Sequence, residues 1–330
     1  MLSKRSRGFS LIASMSIAPN ALGDEYTFDL GLAFDGTSFD GSQSITTLGG
    51  NVFSSNAFDT DEVRAFGRWY FSGLSDAIGP RARAAFVDRA SSLSLSYSHL
   101  DQRNTLFRRN DDPSLPISPL DTVVESDGDS FAAEIRYVDR DSGWFGDVDL
   151  LATNFLADGP NGTINGELDT RGWSIGFGKY LLEATALGLE YGELDSEGGG
   201  DTSAVAATLT HLGTIGERWQ YAIDLEFSRL NPDVGADQNV WGSAIALYPT
   251  PNVEFGIGVE DVSTGGRQFI DLDRTTIEGF ASWFLRENVQ ISAHYRVDDV
   301  DFAPDVLIGG APTEAQADRE SFGISATVRF

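Results

Sequence analysis

The chain has 330 residues, a formal net charge of −27 at neutral pH and no cysteine. This excess of acid excludes a nucleic-acid-binding protein, because the phosphates would be repelled, and without cysteine the fold has no disulfide framework. Beyond the amino-terminal segment, no stretch approaches about 18 consecutive apolar residues, so the sequence predicts no transmembrane helix. The 36 glycines and 22 phenylalanines beside only 11 prolines are typical of many strands joined by turns.

The first 23 residues have the layout of a secretory signal peptide. Lys4, Arg5 and Arg7 form a positive region, residues 9–18 form an apolar region, and Ala21-Leu22-Gly23 is a small-x-small cleavage site. The sequence therefore predicts a signal peptide at 1–23 and a single exported domain at 24–330.

From Tyr26 onward, short runs of the sequence alternate apolar and polar residues with a period of two. In the run 219–227, for example, five apolar side chains face one way, while Asp224 and Glu226 face the other. This period is typical of strands with one apolar face. Fourteen such runs can be placed along the chain.

Long and short connections alternate between these runs. Long loops are predicted at 36–61, 101–127 and 298–319, and short turns at 141–143, 249–251 and 286–288. Residues 72–91 contain a basic cluster of Arg81, Arg83 and Arg89. This stretch is interpreted either as a long turn on the inner side, where the short turns lie, or as a short extra hairpin, which would raise the strand count to sixteen.

The last ten residues alternate most strictly. Phe322, Ile324, Ala326, Val328 and Phe330 lie on one face, polar residues lie on the other, and the sequence ends on a phenylalanine. This strand resembles the closing strand of Gram-negative outer-membrane β-barrels, and the chain as a whole resembles the general bacterial porins. In that family the terminal aromatic residue and the alternate apolar residues before it are the assembly signal, which the resemblance assigns to Phe322, Ile324, Val328 and Phe330.

The resemblance implies an all-β fold, a transmembrane antiparallel β-barrel of about 14 strands with 16 as the alternative, in the bacterial outer membrane. It also implies long extracellular loops and short periplasmic turns. The implied partners are outer-membrane lipid and lipopolysaccharide, the barrel-assembly machinery through the C-terminal strand, and small hydrophilic solutes or ions; monomer and homotrimer both stay open. A girdle at the lipid interface is predicted from the aromatic residues beside the periplasmic turns, namely Trp69, Tyr70, Phe71, Trp219, Tyr248, Trp283 and Phe330.

The polar face of the strands is then predicted to line the lumen, with inward glycine and serine leaving room for water. The pore-lining residues assigned in this way are Arg64, Arg68, Glu134, Arg136, Asp147, Asp149, Glu190, Asp224, Glu226, Glu254, Glu278, His294 and Arg296. Acid outnumbers base on this face, so the predicted function is a passive porin for small hydrophilic solutes with a preference for cations. No cofactor, metal site or catalytic residue is predicted.

Two other functions are compatible with the sequence. The outer loops allow an adhesin or structural anchor, and a hydrolase at the rim would use His99, which follows Ser98 and lies near Asp101. Adjacent residues on a strand face opposite sides, so Ser98 and His99 do not form a nucleophile–base pair, and the pattern argues against an enzyme. The proline-containing loop at 101–127 is a candidate for narrowing the lumen.

Overall fold

The computed structural model describes residues 25–47, 50–75, 80–110, 120–158, 165–197, 200–216, 218–233, 237–265, 271–303 and 314–330. These residues form a closed barrel of fourteen antiparallel strands, in which each strand pairs with its neighbours in sequence and β1 pairs with β14. The predicted barrel is confirmed, and its strand count is fourteen. The sixteen-strand alternative is wrong. The predicted signal peptide lies outside the described residues.

The strand bounds follow the predicted rhythm of runs and connections. They are β1 Glu25–Thr47, β2 Gly50–Ser75, β3 Ser92–Asn110, β4 Leu120–Val138, β5 Trp144–Asp158, β6 Asn165–Leu182, β7 Thr185–Ser196, β8 Thr202–Ile215, β9 Trp219–Pro232, β10 Asp237–Thr250, β11 Val253–Gly265, β12 Asp271–Arg286, β13 Val289–Ala303 and β14 Glu314–Arg329. The short turns, the start of β1 and the end of β14 lie together at one rim of the barrel, here called the turn end. The opposite rim is the loop end, and in barrels of this type it faces outward from the cell.

The predicted long loops are too long, because paired strands occupy much of each predicted range. Residues 36–61 are not a loop, because β1 and β2 stay paired from Gly36↔Asp61 to Thr47↔Gly50, with Phe39 stacked on Phe58 at 4.6 Å. In the same way β3 and β4 take up most of 101–127, and β13 and β14 extend into 298–319. Residues 111–119, which hold the three prolines, lie outside the described residues. Above the membrane both faces of a strand meet water, so the apolar alternation stops there. The backbone hydrogen bonds between the strands continue, because they do not depend on that alternation.

The outer surface of the barrel is apolar on every side. Large hydrophobic side chains alternate along the strands and are exposed, with Leu32, Ile175 and Ile257 each 54% exposed. A soluble sandwich would bury such a face against a second sheet. Here it forms the outside of a closed barrel, as hydrocarbon requires. No helix in the described part of the chain is long and apolar enough to cross a membrane.

The predicted aromatic girdle is correct in part. Trp69, Phe71, Trp219 and Trp283 are exposed on the outer face near the turn end, and the terminal Phe330 is half-buried with its ring 6.3 Å from that of Phe28. The assignment of Tyr70 and Tyr248 to the girdle is wrong, because their side chains are 3% and 1% exposed and point inward. Their positions in the alternation oppose those of the outward tryptophans, so nearness to a turn did not decide which way they point.

A second group of outward aromatic residues lies nearer the loop end, and the sequence interpretation missed it. It consists of Tyr97, Trp173, Tyr191, Trp241 and Tyr295. The hydroxyl of Tyr97 donates to Asp129 at 2.6 Å and that of Tyr191 donates to Glu193 at 2.6 Å. Aromatic rings on the membrane side, with carboxylates nearer the loop end, are the arrangement expected at the boundary between the hydrocarbon and the lipid headgroups.

Residues 80–91 fold inside the barrel at the turn end and are called the inner segment below. They form a 3₁₀ turn, Arg81–Arg83, followed by one turn of helix, α1, Ala84–Val87. Of the two interpretations of 72–91, the long turn is the right one and the extra hairpin is wrong; the sequence did not indicate that this turn folds into the lumen. Two residues after the helix, Arg89 has a φ of 50°, which lies in the left-handed region that glycine normally occupies, so this backbone is held by its surroundings.

Candidate functional site

The inner surface of the barrel encloses a cavity of about 1050 Å³ that carries both signs of charge. Its lining includes Arg64, Arg68, Glu134, Asp149, Glu190, Glu278, His294 and Arg296 from the predicted set. Arg136 and Asp147 line a second cavity, and Asp224 and Glu226 line a third, each of about 370 Å³. Glu254 lies on the same inner face, where it accepts a hydrogen bond from the Tyr248 hydroxyl at 2.7 Å.

One arc of the inner wall, from β5 to β9, is acidic. Asp147, Asp149, Glu190, Asp224 and Glu226 project inward from it. The basic residues on these strands do not oppose them, because Arg171 and Arg229 are exposed on the outer face and Lys179 covers the outward Trp144 at 4.9 Å. Within the described part of the chain, Glu190 and Glu226 have no salt-bridge partner.

The opposite arc, from β12 through β14 to β2, holds the arginines, and most of them are paired. Arg296 and Arg319 lie 2.8 and 3.7 Å from the two oxygens of Asp298, which is completely buried. Arg274 binds Glu260 at 2.6 Å. Asp298 and Arg319 lay in a predicted loop, so the sequence interpretation missed this cluster.

Three further pairs complete this arc near β1 and β2. Arg64 binds Glu62 at 2.9 Å, and Arg68 reaches Glu134 of β4 at 3.3 Å. His294 lies 3.1 Å from Asp35 across the strands. The charges of the lumen are thus segregated. The arginines of one side are mostly paired, whereas on the acidic side Asp224 pairs with Arg83 and Asp147 lies 3.8 Å from Arg136, which leaves Asp149, Glu190 and Glu226 without a salt-bridge partner among the described residues.

Some inward glycines seat aromatic rings, which differs from the prediction that they leave room for water. Phe66 lies against Gly31, Phe145 against Gly178 and Phe280 against Gly256, so closely that a methyl group on the glycine would overlap the ring. These rings occupy part of the lumen wall that composition alone assigned to solvent.

The inner segment packs on three separate regions of the inner wall. Ala84 and Ala90 contact Tyr70 and Leu74 of β2. Phe86 contacts Tyr180 of β6, with ring centroids 5.3 Å apart. Ala82 packs against Tyr248 of β10 and its neighbours. Because these contacts lie on well-separated strands of the barrel, the inner segment crosses the turn end of the lumen.

The arginines of the inner segment also bind the barrel wall, close to the packing contacts on β6 and β10. Arg83 binds Asp224 and Tyr248, and Arg89 donates to the backbone carbonyls of Arg140 and Leu182 at 3.4 and 3.5 Å. The amide of Arg81 donates to the Pro251 carbonyl at 3.0 Å. The basic cluster noted in the sequence was the only signal for this segment, and its inward position could not be read from it.

The seam between β1 and β14 adds a further contact. Asp29 faces Arg329 directly, with 3.2 Å between Oδ1 and Nε, and both side chains are buried. Tyr70 donates to the other Asp29 oxygen at 2.9 Å, and Arg329 donates to the Arg81 carbonyl at 2.9 Å. Barrel closure and the position of the inner segment therefore share one arginine.

The structure gives the rim around His99 no hydrolase geometry. His99 Nδ1 lies 2.9 Å from Asp129 and its Nε2 lies 3.7 Å from Asp101, all on the outer face, whereas Ser98 falls on the inner face by alternation. Within the described ranges, no group of three or more histidine, aspartate or glutamate side chains is placed to hold a metal ion.

No protein-family model matches the sequence, and no curated protein matches it. Among solved structures, the chain is similar to a TodX deltaS2S3 mutant monoaromatic hydrocarbon channel, with a TM-score of 0.58 and 12% identity over 92% of this chain and 91% of that one. It also matches Omp33 of Acinetobacter baumannii, with a TM-score of 0.49 and 18% identity over 94% and 100%, and the CymD monoaromatic hydrocarbon channel, with a TM-score of 0.40 and 11% identity over 93% and 89%.

The chain has the fold of an outer-membrane β-barrel. The similarity to the TodX structure shows this, and its 12% identity supports a shared fold and nothing beyond it. Together with the apolar outer belt, it confirms the predicted outer-membrane location of the barrel.

Proposed function

We propose that the barrel is a passive channel for small hydrophilic solutes and that it prefers cations. The observation that supports this most is the acidic arc, where Glu190 and Glu226 line the lumen without an arginine or lysine opposite them on β5–β9. Most arginines of the other arc already contact carboxylates, so the uncompensated charge of the lumen is negative.

The sign of this charge matters because the lumen is walled by protein. Charges along a water-filled path between low-dielectric walls act over several ångströms, and their net sign sets which ions enter. The residues that carry the selectivity are then Asp147, Asp149, Glu190 and Glu226. Arg64, Arg68, His294 and Arg296 belong to the opposing, compensated wall, whereas Arg136 of β4 borders the acidic arc and lies 3.8 Å from Asp147.

The same lining distinguishes this channel from one for hydrocarbons. Two of the similar structures are channels for monoaromatic hydrocarbons by name. An apolar solute would have to remove water from the charged groups that surround the 1050 Å³ cavity here, which is unfavourable. The lumen therefore supports hydrophilic cargo.

The terminal strand supports a second part of the proposal, which concerns assembly. Phe322 and Ile324 are exposed on the outer face, and Val328 and Phe330 follow on the strand that closes the barrel against β1. These side chains are available to the barrel-assembly machinery before closure, and to outer-membrane lipid after it.

The test is single-channel current in a planar bilayer under a tenfold KCl gradient. We expect discrete steps with a reversal potential of the sign for cations, between zero and the limit of about 59 mV for a tenfold gradient of one monovalent ion. The double variant Glu190→Gln/Glu226→Gln should move the potential toward zero. Asp273→Asn, which removes a carboxylate from the outer face, is the matched control and should leave it unchanged.

Two results would contradict the proposal. A reversal potential of the sign for anions would mean that the acidic arc does not govern selectivity. No conductance from protein that shows the heat-modifiable gel mobility of a folded barrel would remove the channel itself, and adhesion through the loops would become the leading function.

A further inference from the structure

The contact between Arg83 and the barrel wall has the form of a binding site with a ligand in place. The Arg83 guanidinium donates through Nη2 to Asp224 Oδ2 at 2.5 Å, through Nη1 to Asp224 Oδ1 at 3.4 Å and through Nε to the Tyr248 hydroxyl at 3.0 Å. Three of its nitrogens therefore meet three acceptor atoms. This fork matches a planar guanidinium and does not match the point charge of an ammonium group.

The barrel strands hold these acceptors in place by bonds of their own. Thr210 of β8 donates to Asp224 Oδ1 at 2.8 Å, and the Tyr248 hydroxyl donates to Glu254 at 2.7 Å. Tyr248 is 1% exposed, so its ring is fixed by packing. Because its proton goes to Glu254, its oxygen is free to accept from the guanidinium. We call Thr210, Asp224, Tyr248 and Glu254 the guanidinium cradle.

The guanidinium cradle lies on the path that a solute would take. Arg83 lines one lumen cavity of about 370 Å³ and Asp224 lines another, while Thr208 and Thr210 border both. The Arg83 and Asp224 side chains remain 25% and 32% exposed. The ion pair therefore stands between two water-accessible spaces and is reached from either.

We propose that the guanidinium cradle binds the guanidino group of a permeating solute, such as free arginine, and that Arg83 is an internal competitor for it. This rests on the proposed channel function. Solute binding displaces Arg83, which releases the inner segment at its β9–β10 edge. Of the contacts named above, that edge then keeps the backbone contact of Arg81 to Pro251 and the packing of Ala82.

Competition is feasible at ordinary solute concentrations. A group tethered by a short chain has an effective concentration on the order of millimolar at its site, so a solute at millimolar concentration competes with it. If Arg83 fills the cradle about nine-tenths of the time, it lowers the apparent affinity for a solute about tenfold. Removing Arg83 should therefore tighten solute binding rather than weaken it, which a purely structural salt bridge would not predict.

The first test measures binding of L-arginine to the full-length, detergent-solubilised barrel by calorimetry. We expect Arg83→Ala to bind arginine about tenfold more tightly than the wild type does, and Arg83→Ala/Asp224→Asn to lose this binding. L-citrulline, which has a neutral urea group in place of the guanidinium, should not bind. Arg229→Ala removes an exposed arginine from the outer face of β9 and should bind arginine as the wild type does.

Each variant is first checked for heat-modifiable mobility, and Arg83→Lys serves if Arg83→Ala does not fold. Lysine keeps the charge but loses the fork, so the gain in arginine affinity should be smaller than with alanine. Equal binding of arginine and citrulline, or no arginine binding to folded Arg83→Ala, would overturn the proposal.

The second test adds arginine to the conductance measurement. Arginine should raise wild-type conductance toward that of Arg83→Ala, and citrulline should not. If the channel conducts but responds equally to both solutes, the cradle is wrong and the channel stands. If arginine binds selectively but no protein conducts, the cradle stands and the proposed channel is wrong.

Discussion

Replacing Arg329 with glutamine should destabilise the barrel strongly, because it leaves a buried carboxylate at the seam. Asp29 and Arg329 are 3.2 Å apart, and their side chains are 9% and 7% exposed. At an effective dielectric constant of about 20, unit charges at this separation attract by about 5 kcal/mol. Removing one partner of such a pair costs about 3–5 kcal/mol, since the other charge stays desolvated.

A matched control lies in the same barrel. Arg64 and Glu62 are closer, at 2.9 Å, but their side chains are 46% and 21% exposed. Exposed pairs contribute about 0–1 kcal/mol, so Arg64→Gln should have little effect on stability. The comparison changes burial and leaves the chemistry of the substitution the same.

The assay is urea unfolding of the protein in lipid vesicles, followed by tryptophan fluorescence. The slope of the unfolding free energy against urea concentration should be the same for all variants, so that a shifted midpoint reports a change in stability. Asp29→Asn/Arg329→Gln should recover much of the loss, because neither charge is then left alone. If Arg329→Gln costs no more than Arg64→Gln, burial does not set the strength of this pair, and the argument from burial fails.

Two further predictions concern packing and a turn. Gly256→Ala should cost about 1–3 kcal/mol in the same unfolding assay, because the added methyl group overlaps the Phe280 ring; Gly279→Ala, where the added methyl meets nothing within 4 Å, should be near neutral, and equal costs would contradict the packing argument. In the β4–β5 turn, the Ser142 hydroxyl donates to Asp139 at 2.6 Å and lowers the pKa of that carboxyl. A lowered pKa means that its stabilising effect is present above the usual aspartate pKa of about 4 and is lost as the pH falls through the lower, folded-state value. Carboxyl NMR titration should show the Asp139 pKa rising toward its usual range in Ser142→Ala, and an unchanged pKa would rule out Ser142 as the cause.

The local alternation of the sequence was enough to predict which side chains share a face of each strand, and the resemblance of the last strand to those of outer-membrane barrels implied the barrel. The period of two in runs such as 219–227 fixes which side chains share a face, because successive residues of a strand point to opposite sides whatever surrounds them. For this reason the pattern predicted that Glu190, Asp224 and Arg296 share the polar face, and the structure places them along the lumen.

Composition was less informative where the strands leave the membrane. Residues 36–61 are rich in glycine, serine and threonine and were taken for a loop, yet β1 and β2 remain paired through them. Backbone hydrogen bonds do not depend on apolar alternation. The inward Asp298 was missed for the same reason, since it lies where the apolar pattern of β13 ends.

The sequence by itself thus determined the strand periodicity and the separation of each strand into an apolar and a polar, mostly acidic face, and its resemblance to outer-membrane barrels implied about fourteen strands. Only the tertiary structure decided that residues 80–91 turn into the lumen, that Arg83 lies in the guanidinium cradle, and that Tyr70 and Tyr248 contact this segment. The physical reason is the range of the contacts. Strand periodicity depends on neighbouring residues. The partners of Arg83 are 141 and 165 residues away along the chain and come together only when the barrel closes.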